Sequence, residues 1–249
     1  MYMKRFSVVW VISVLSLFLM MCMSCTSGCE SFLGPKAHRA YSKFKSKVDT
    51  YRSKLVAELE SVHLDSVLLF KDQTYSSVLL LAEEDSTKRS IITTLGNDSK
   101  VIERLREVFD TLDLKNRSNS NDIAIAVSIL NHLTSVTNLA ITLFHKHLSK
   151  RSLARIRNSF LLELGLVDLL DEITSYLDQF IQGRDDVMSK IRRVIKTAAA
   201  KRGDKSAMID YLKTLSDDQG DLSKEILVRL VDNVFKIEFK LKDTFKWDS

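Results

Sequence analysis

The chain has 249 residues, a formal charge of +5, three cysteines, seven glycines and a single proline. That length can bury a sizeable core in one large or two small domains, and so few breakers over so many residues argue against an all-β or α/β chain. The weak positive balance is not a nucleic-acid signature, and crowding every cysteine into residues 22–29 leaves no disulfide framework for the body.

Lys4 and Arg5 precede an uncharged run over residues 6–23. A charged start and an apolar stretch are the pattern of an export signal, and the run is also long enough to span a bilayer, which takes about 17–25 apolar residues. Either reading places the rest of the chain outside the cytoplasm. Met23-Ser24-Cys25 puts a small residue directly before a cysteine. This resembles the lipobox of bacterial lipoproteins, in which the cysteine thiol is acylated and the chain is cut just before it. Cys25 is the expected attachment point, although Cys22 stands where the lipobox usually has Leu. Cys22 itself has Leu19 in the right place but the bulky Met21 beside it, and Cys29 follows Gly28 at some distance from the apolar run. An uncleaved anchor and ordinary signal cleavage are the competing readings. The expected division is a signal peptide over 1–24, a tether over 25–35 and a single all-helical domain over 36–249. Loss of Lys4 and Arg5 with the signal lowers the charge to +3.

From Phe44 the apolar residues Phe44, Val48, Tyr51, Leu55, Leu59 and Val62 keep three-and-four spacing, one face of an amphipathic helix. Its polar face is basic, with Lys36, Arg39, Lys43, Lys45, Lys47, Arg52 and Lys54. A second helix is expected over about 64–82 and a third over about 98–114, with Asp98 or Ser99 as its cap. The stretch STKRSIITTLGND between them fits a short helix or an extended segment. The polar cluster KNRSNSND (115–122) reads as a loop ending in a cap.

Beyond it, Ile123, Val127, Leu130, Thr137, Ile141, Phe144 and Leu148 form one stripe, and Ile129, Leu133, Val136, Ala140 and Leu143 a second beside it. An arc that wide predicts a helix over about 122–147 at the centre of the fold. Leu153, Ile156, Phe160, Leu164, Val167, Leu170, Ile173, Leu177 and Phe180 continue the helical spacing, with Gly183 as the expected stop. Shorter helices are expected over about 185–202 and 204–215. The whole predicts an all-α bundle of roughly seven helices.

The segment FKIEFKLK (235–242) alternates apolar and polar residues like a half-buried strand, while Leu230, Val234, Ile237, Leu241 and Phe245 keep helical spacing. A lone strand would leave its backbone groups unsatisfied, so helix is the expectation. Phe235 and Phe239 then lie beside the core stripe. With Trp247 they are the candidate partner or dimer contacts, because exposed aromatic area marks a contact surface; packing against the first helix is the alternative.

Chemistry is sparse. His145 and His147 sit two residues apart, about 200° around a helix, too divergent to chelate one metal. Asp168, Asp171 and Glu172 share a helical face and read as solvated, and Asp185 with Asp186 reads as favourable charge at a helix N-terminus. No glycine-rich phosphate loop, no G-x-S-x-G and no thiol in the body point to catalysis, so no enzyme, cofactor or metal is expected. Basic residues cluster at 36–54, in HKHLSKRSLARIR (145–157), and at Arg192, Arg193, Lys196, Lys201 and Arg202. Outside a cell such faces meet sulfated glycans, acidic protein patches or lipid headgroups rather than nucleic acid.

The relaxed lipobox, the short tether, the proline-poor helical body and LSKRSLARIRNSFLLELGLVDLLDEITSYL (148–177), with Asn158-Ser159-Phe160 after a basic helix start, together resemble the Borrelia outer-surface lipoproteins related to the complement regulator-acquiring surface protein. The resemblance implies a lipid-anchored helical bundle at the cell surface of the outer membrane, in some members a homodimer clasped through the C-terminal helix. It also implies binding of host complement proteins, factor H or other components, in the service of immune evasion and virulence. No binding residue of that family maps onto a matching motif here. Two other roles fit the residues: an adhesin for fibronectin, plasminogen or glycosaminoglycan, and a structural or periplasmic lipoprotein without a host ligand.

Overall fold

A computed structural model describes residues 34–63, 84–114, 119–158, 165–216, 220, 222, 224 and 226–245. The leader with Cys22, Cys25 and Cys29, the helix expected over 64–82, Ser159, Phe160 and Trp247 lie outside the described residues.

The architecture is an all-α bundle, with eight α-helices and no strand among the described residues. Helix α1 (Pro35–Glu60) opens on proline, whose missing N–H costs nothing in a first turn. STKRSIITTLGND resolves as helix: α2 (Asp85–Thr94) runs into a turn in which Gly96 (φ 77°) and Asn97 (φ 54°) are left-handed. Helix α3 (Ser99–Thr111) is capped as expected, the Asp98 carboxylate accepting from the Lys100 N–H at 2.9 Å and the Val101 N–H at 3.3 Å. Helix α4 (Ser120–Ile141) passes directly into a π-helical turn, Thr142–His147. After α5 (Lys150–Asn158) and α6 (Leu166–Ala200) come α7 (Lys205–Ser216), a second π-helical turn (Ile226–Val231) and α8 (Asp232–Phe245).

Helix α6, 35 residues and so about 50 Å long, is the hub against which α1, α3, α7 and α8 pack. Helix α4 is covered by α2 and α7, and its second stripe, Ile129, Leu133, Val136, Ala140 and Leu143, is wholly buried. Together with its π turn it is long and apolar enough to cross a membrane by length and composition; here that apolar surface meets other helices. Hydroxyls set the register of α2 on α4, Thr94 donating to the Leu133 carbonyl at 2.7 Å and Ser90 to the Asn138 side chain at 2.8 Å.

Two expectations are corrected. Gly183 does not stop a helix, and Asp185 and Asp186 do not begin one: all three lie in the middle of α6. The apolar frame of Ile173, Leu177 and Phe180 carries on through Val187, Ile191 and Ile195, all buried. Cooperative helix propagation overrides one glycine, which costs about 1 kcal/mol against alanine. Its bare Cα has a packing use, since a Cβ there would stand 3.3 Å from Leu230 Cδ2. The last segment is helical as expected, with Leu230, Val234, Ile237 and Leu241 buried and Phe245 partly so.

Candidate interaction site

Helix α8 lies on α6 by one face and leaves the other open. Val228, Phe235 and Phe239 are 66%, 65% and 64% exposed, and they are the exposed large hydrophobic side chains among the described residues. Phe235 and Phe239 are one helical turn apart on the same side. The alternative in which these rings pack on α1 does not occur. Polar contacts fix the helix between rings and core: Lys240 donates to Glu172 at 2.9 Å, Tyr176 donates to the same carboxylate at 2.8 Å, and the Lys236 ammonium sits 5.5 Å from the Tyr176 ring centre. Those two donors hold the Glu172 carboxyl below its ordinary range, with Lys240 the larger influence. Glu172 is therefore tied down, whereas Asp168 and Asp171 on the same stretch are exposed.

The two histidines part company. His145 is exposed; His147 is buried, with Nε2 3.8 Å from the Glu238 carboxylate, which Lys242 also approaches at 2.7 Å. Burial pushes the His147 pKa down despite the nearby carboxylate, and the Lys242 hydrogen bond holds Glu238 down. No group of three His, Cys, Asp or Glu side chains that could hold a metal ion occurs among the described residues.

The three basic clusters look equivalent in sequence and separate in the fold. On α1, Lys45 and Arg52 pair with Asp49, Lys47 with Asp178 of α6, and Lys54 approaches Glu58 and Asp185. Lys36, Arg39 and Lys43, nearer the start of the same helix, are exposed. In the third cluster Lys196 approaches Asp98 and Arg202 meets Glu107 at 2.9 Å. In the middle cluster Lys150, Arg151, Arg155 and Arg157 are all exposed and, like Lys36, Arg39 and Lys43, make no ion pair with an acid among the described residues.

Helix α5 is fastened along α1. The buried Tyr41 hydroxyl donates to the Leu153 carbonyl at 2.9 Å, and Arg52 donates to the Leu148 carbonyl. Arg157 lies toward Tyr41 and Lys45, so the two helices run antiparallel. Between them is an open groove of about 700 Å³. Tyr41, Val56, Ala57, Leu153 and Ala154 line it, and Lys45, Arg52, Lys150 and Arg157 stand around it with Asp49 and Glu60. The sequence gives the cations but not the groove; the usable signal is thirteen residues, 145–157, without one acid.

Of the residues expected to matter, the structure places Phe235 and Phe239 together on an exposed face, while Cys25 and Trp247 fall outside the described residues. No protein-family model, curated protein or solved structure matches this chain.

Proposed function

We propose that this chain is a lipoprotein of the outer membrane, anchored at the cell surface through Cys25, whose helical domain binds host serum proteins, complement regulators or components first among them, without catalysing a reaction. The observation that carries the reading is the open face of α8 and the π turn before it, where Phe235, Phe239 and Val228 stand exposed while the inward residues of α8 are buried. Two exposed phenylalanines on one helical turn are apolar area that water disfavours by about 25 cal/mol per Å², and a face of this kind is covered in the working molecule by a partner. A host protein is the partner favoured by the export signal and the lipobox-like Met23-Ser24-Cys25; the family resemblance narrows it to complement. A homodimer through the same helix is compatible with the reading, as two copies related by a two-fold axis would each supply the same patch.

The test is retention of serum proteins by the purified chain. Factor H, an early component or a terminal component should be held by the wild type. If serum leaves nothing bound while protease added to intact cells spares the protein, the chain is a periplasmic structural lipoprotein instead.

A further inference from the structure

We infer that the groove between α1 and α5 is a binding site for a linear sulfated polysaccharide. The inference rests on the domain being outside the cell, as proposed above, and not on what α8 binds.

Charge pairing marks this place. Where Lys45, Lys47, Arg52 and Lys54 of α1 and Lys196 of α6 have acids within 4 Å, Lys150 and Arg157, which line the groove, and Arg151 and Arg155 beside them on α5 have none among the described residues. Four unpaired cations on a helix of nine residues repel one another, like charges at i,i+4 being unfavourable. A polyanion removes that repulsion. The two acids on the groove count against it in part, but Asp49 is already shared by Lys45 at 2.5 Å and Arg52 at 2.9 Å, which leaves Glu60.

Shape then selects among polyanions. The groove is lined by α1 between Tyr41 and Glu60 and by α5 between Lys150 and Arg157, so the stretch with both walls is about 10 Å long at 1.5 Å per residue. It is a trough with walls, so a flat bilayer would reach its rim and not its floor. A protein segment docks through large side chains held in pockets, whereas the one aromatic residue lining this groove, Tyr41, is buried with its hydroxyl committed to the Leu153 carbonyl, and the other apolar lining residues, Val56, Ala57, Leu153 and Ala154, are aliphatic. A chain of anionic sugars needs only cations at intervals along its path. Lys150 and Arg157 supply them on one wall, and on the other Lys45 and Arg52, which share the Asp49 carboxylate, leave one net positive charge. Arginine can hold a sulfate oxygen pair through two parallel N–H donors, and lysine acts as a point charge. Tyr41 and Arg52 fix the spacing of the walls by bonding the α5 backbone, so the cations are positioned before the ligand arrives.

The test uses the full chain in detergent and immobilised heparin. Wild type should bind and elute with rising salt, since exposed charge pairs are screened within about 10 Å at 0.1 M. The α5 variant K150E/R151E/R155E/R157E should lose binding by more than tenfold. The control R193E/K196E/K201E/K213E, which changes the net charge equally at exposed positions elsewhere, should bind within twofold of wild type. Should the reversed variant fold poorly by circular dichroism, K150Q/R157Q replaces it, with an expected loss of three- to tenfold. Equal loss in the α5 and control variants would reduce the effect to net charge and overturn the site. Competition by poly-glutamate or phosphatidylglycerol vesicles as effective as that of heparin, at equal anionic charge, would overturn the assignment to a sulfated sugar. Because the assay contains no serum protein, a failed serum experiment leaves its result intact, and a failed heparin experiment leaves the α8 reading intact.

Discussion

Asp122 illustrates how much one side chain holds at the end of α4. Its buried carboxylate accepts from the Asp113 N–H at 2.7 Å, from Asn119 Nδ2 at 3.0 Å and from Lys205 Nζ at 2.6 Å, joining the α3–α4 connection to the start of α7. Asp122→Ala strands a backbone donor and an amide, and each unsatisfied buried group costs about 1–3 kcal/mol. The expected loss is about 2–3 kcal/mol, read as a lower urea midpoint at unchanged slope. His147 gives a pH dependence of definite sign. Burial lowers its pKa below the ordinary 6.5, so the folded protein holds it neutral where the unfolded chain takes up a proton. Stability therefore falls as pH drops from about 6.5 toward the folded pKa, and rises again with pH. Glu238 acts in a lower window: its pKa is depressed below 4.5, chiefly by the Lys242 hydrogen bond, so its contribution is present above about 4.5 and is lost on further acidification. The charged groups around His147 are Glu238 and Lys242 on α8 and Lys146 on its own π turn. His147→Gln should flatten the decline in urea midpoint between pH 7 and 5.5 while leaving the loss below pH 4.5. A slope equal to wild type between pH 7 and 5.5 would assign the acid sensitivity to other groups.

At the scale of elements, helical periodicity was the most readable part of the chain. Phe44, Val48, Leu55 and Val62, the Ile129–Leu143 stripe, and the Leu230, Val234, Ile237 and Leu241 frame are all buried where their spacing puts them. The Asp98 cap was readable too, because capping is a local interaction of the carboxylate with N–H groups two and three residues ahead. Gly183 was not. Local rules treat glycine as punctuation, whereas its role depends on Leu230, almost fifty residues later, approaching the bare backbone. The groove was hidden for the same reason: α1 and α5 are a hundred residues apart, and only the fold shows which cations find acids. Gly183→Leu checks the packing account. The larger side chain meets Leu230 and Arg229 at once, and overpacking of this kind costs about 1–3 kcal/mol. A mid-helix glycine without a packing role would predict the reverse, because replacing it by a good helix former favours the helix by up to about 1 kcal/mol. Denaturation of the single variant separates the two accounts by sign.

For the whole molecule, the open face of α8 and the trough beside α5 are both surfaces that the fold leaves unsatisfied, one in apolar contact and one in charge. The two predict opposite responses to salt. Contact through Val228, Phe235 and Phe239 is hydrophobic, so salt should weaken it little, and kosmotropic salts strengthen such burial; charge pairing at α5 is screened. The double variant Phe235→Asp, Phe239→Asp tests the first surface without disturbing the core, because both rings are about two thirds exposed while Val234, Ile237 and Leu241 secure α8 to α6. Substitutions at such positions change stability by about 0.5 kcal/mol or less, so the variant should melt within a few degrees of wild type. It should no longer retain serum proteins, and if the wild type sediments as a dimer it should sediment as a monomer. Unchanged retention and unchanged sedimentation in a folded double variant would remove α8 as the contact surface. A variant that fails to fold would mean instead that the rings contribute to the chain's own core. Heparin elution of the same protein should stay close to that of wild type, since neither phenylalanine lines the groove between α1 and α5.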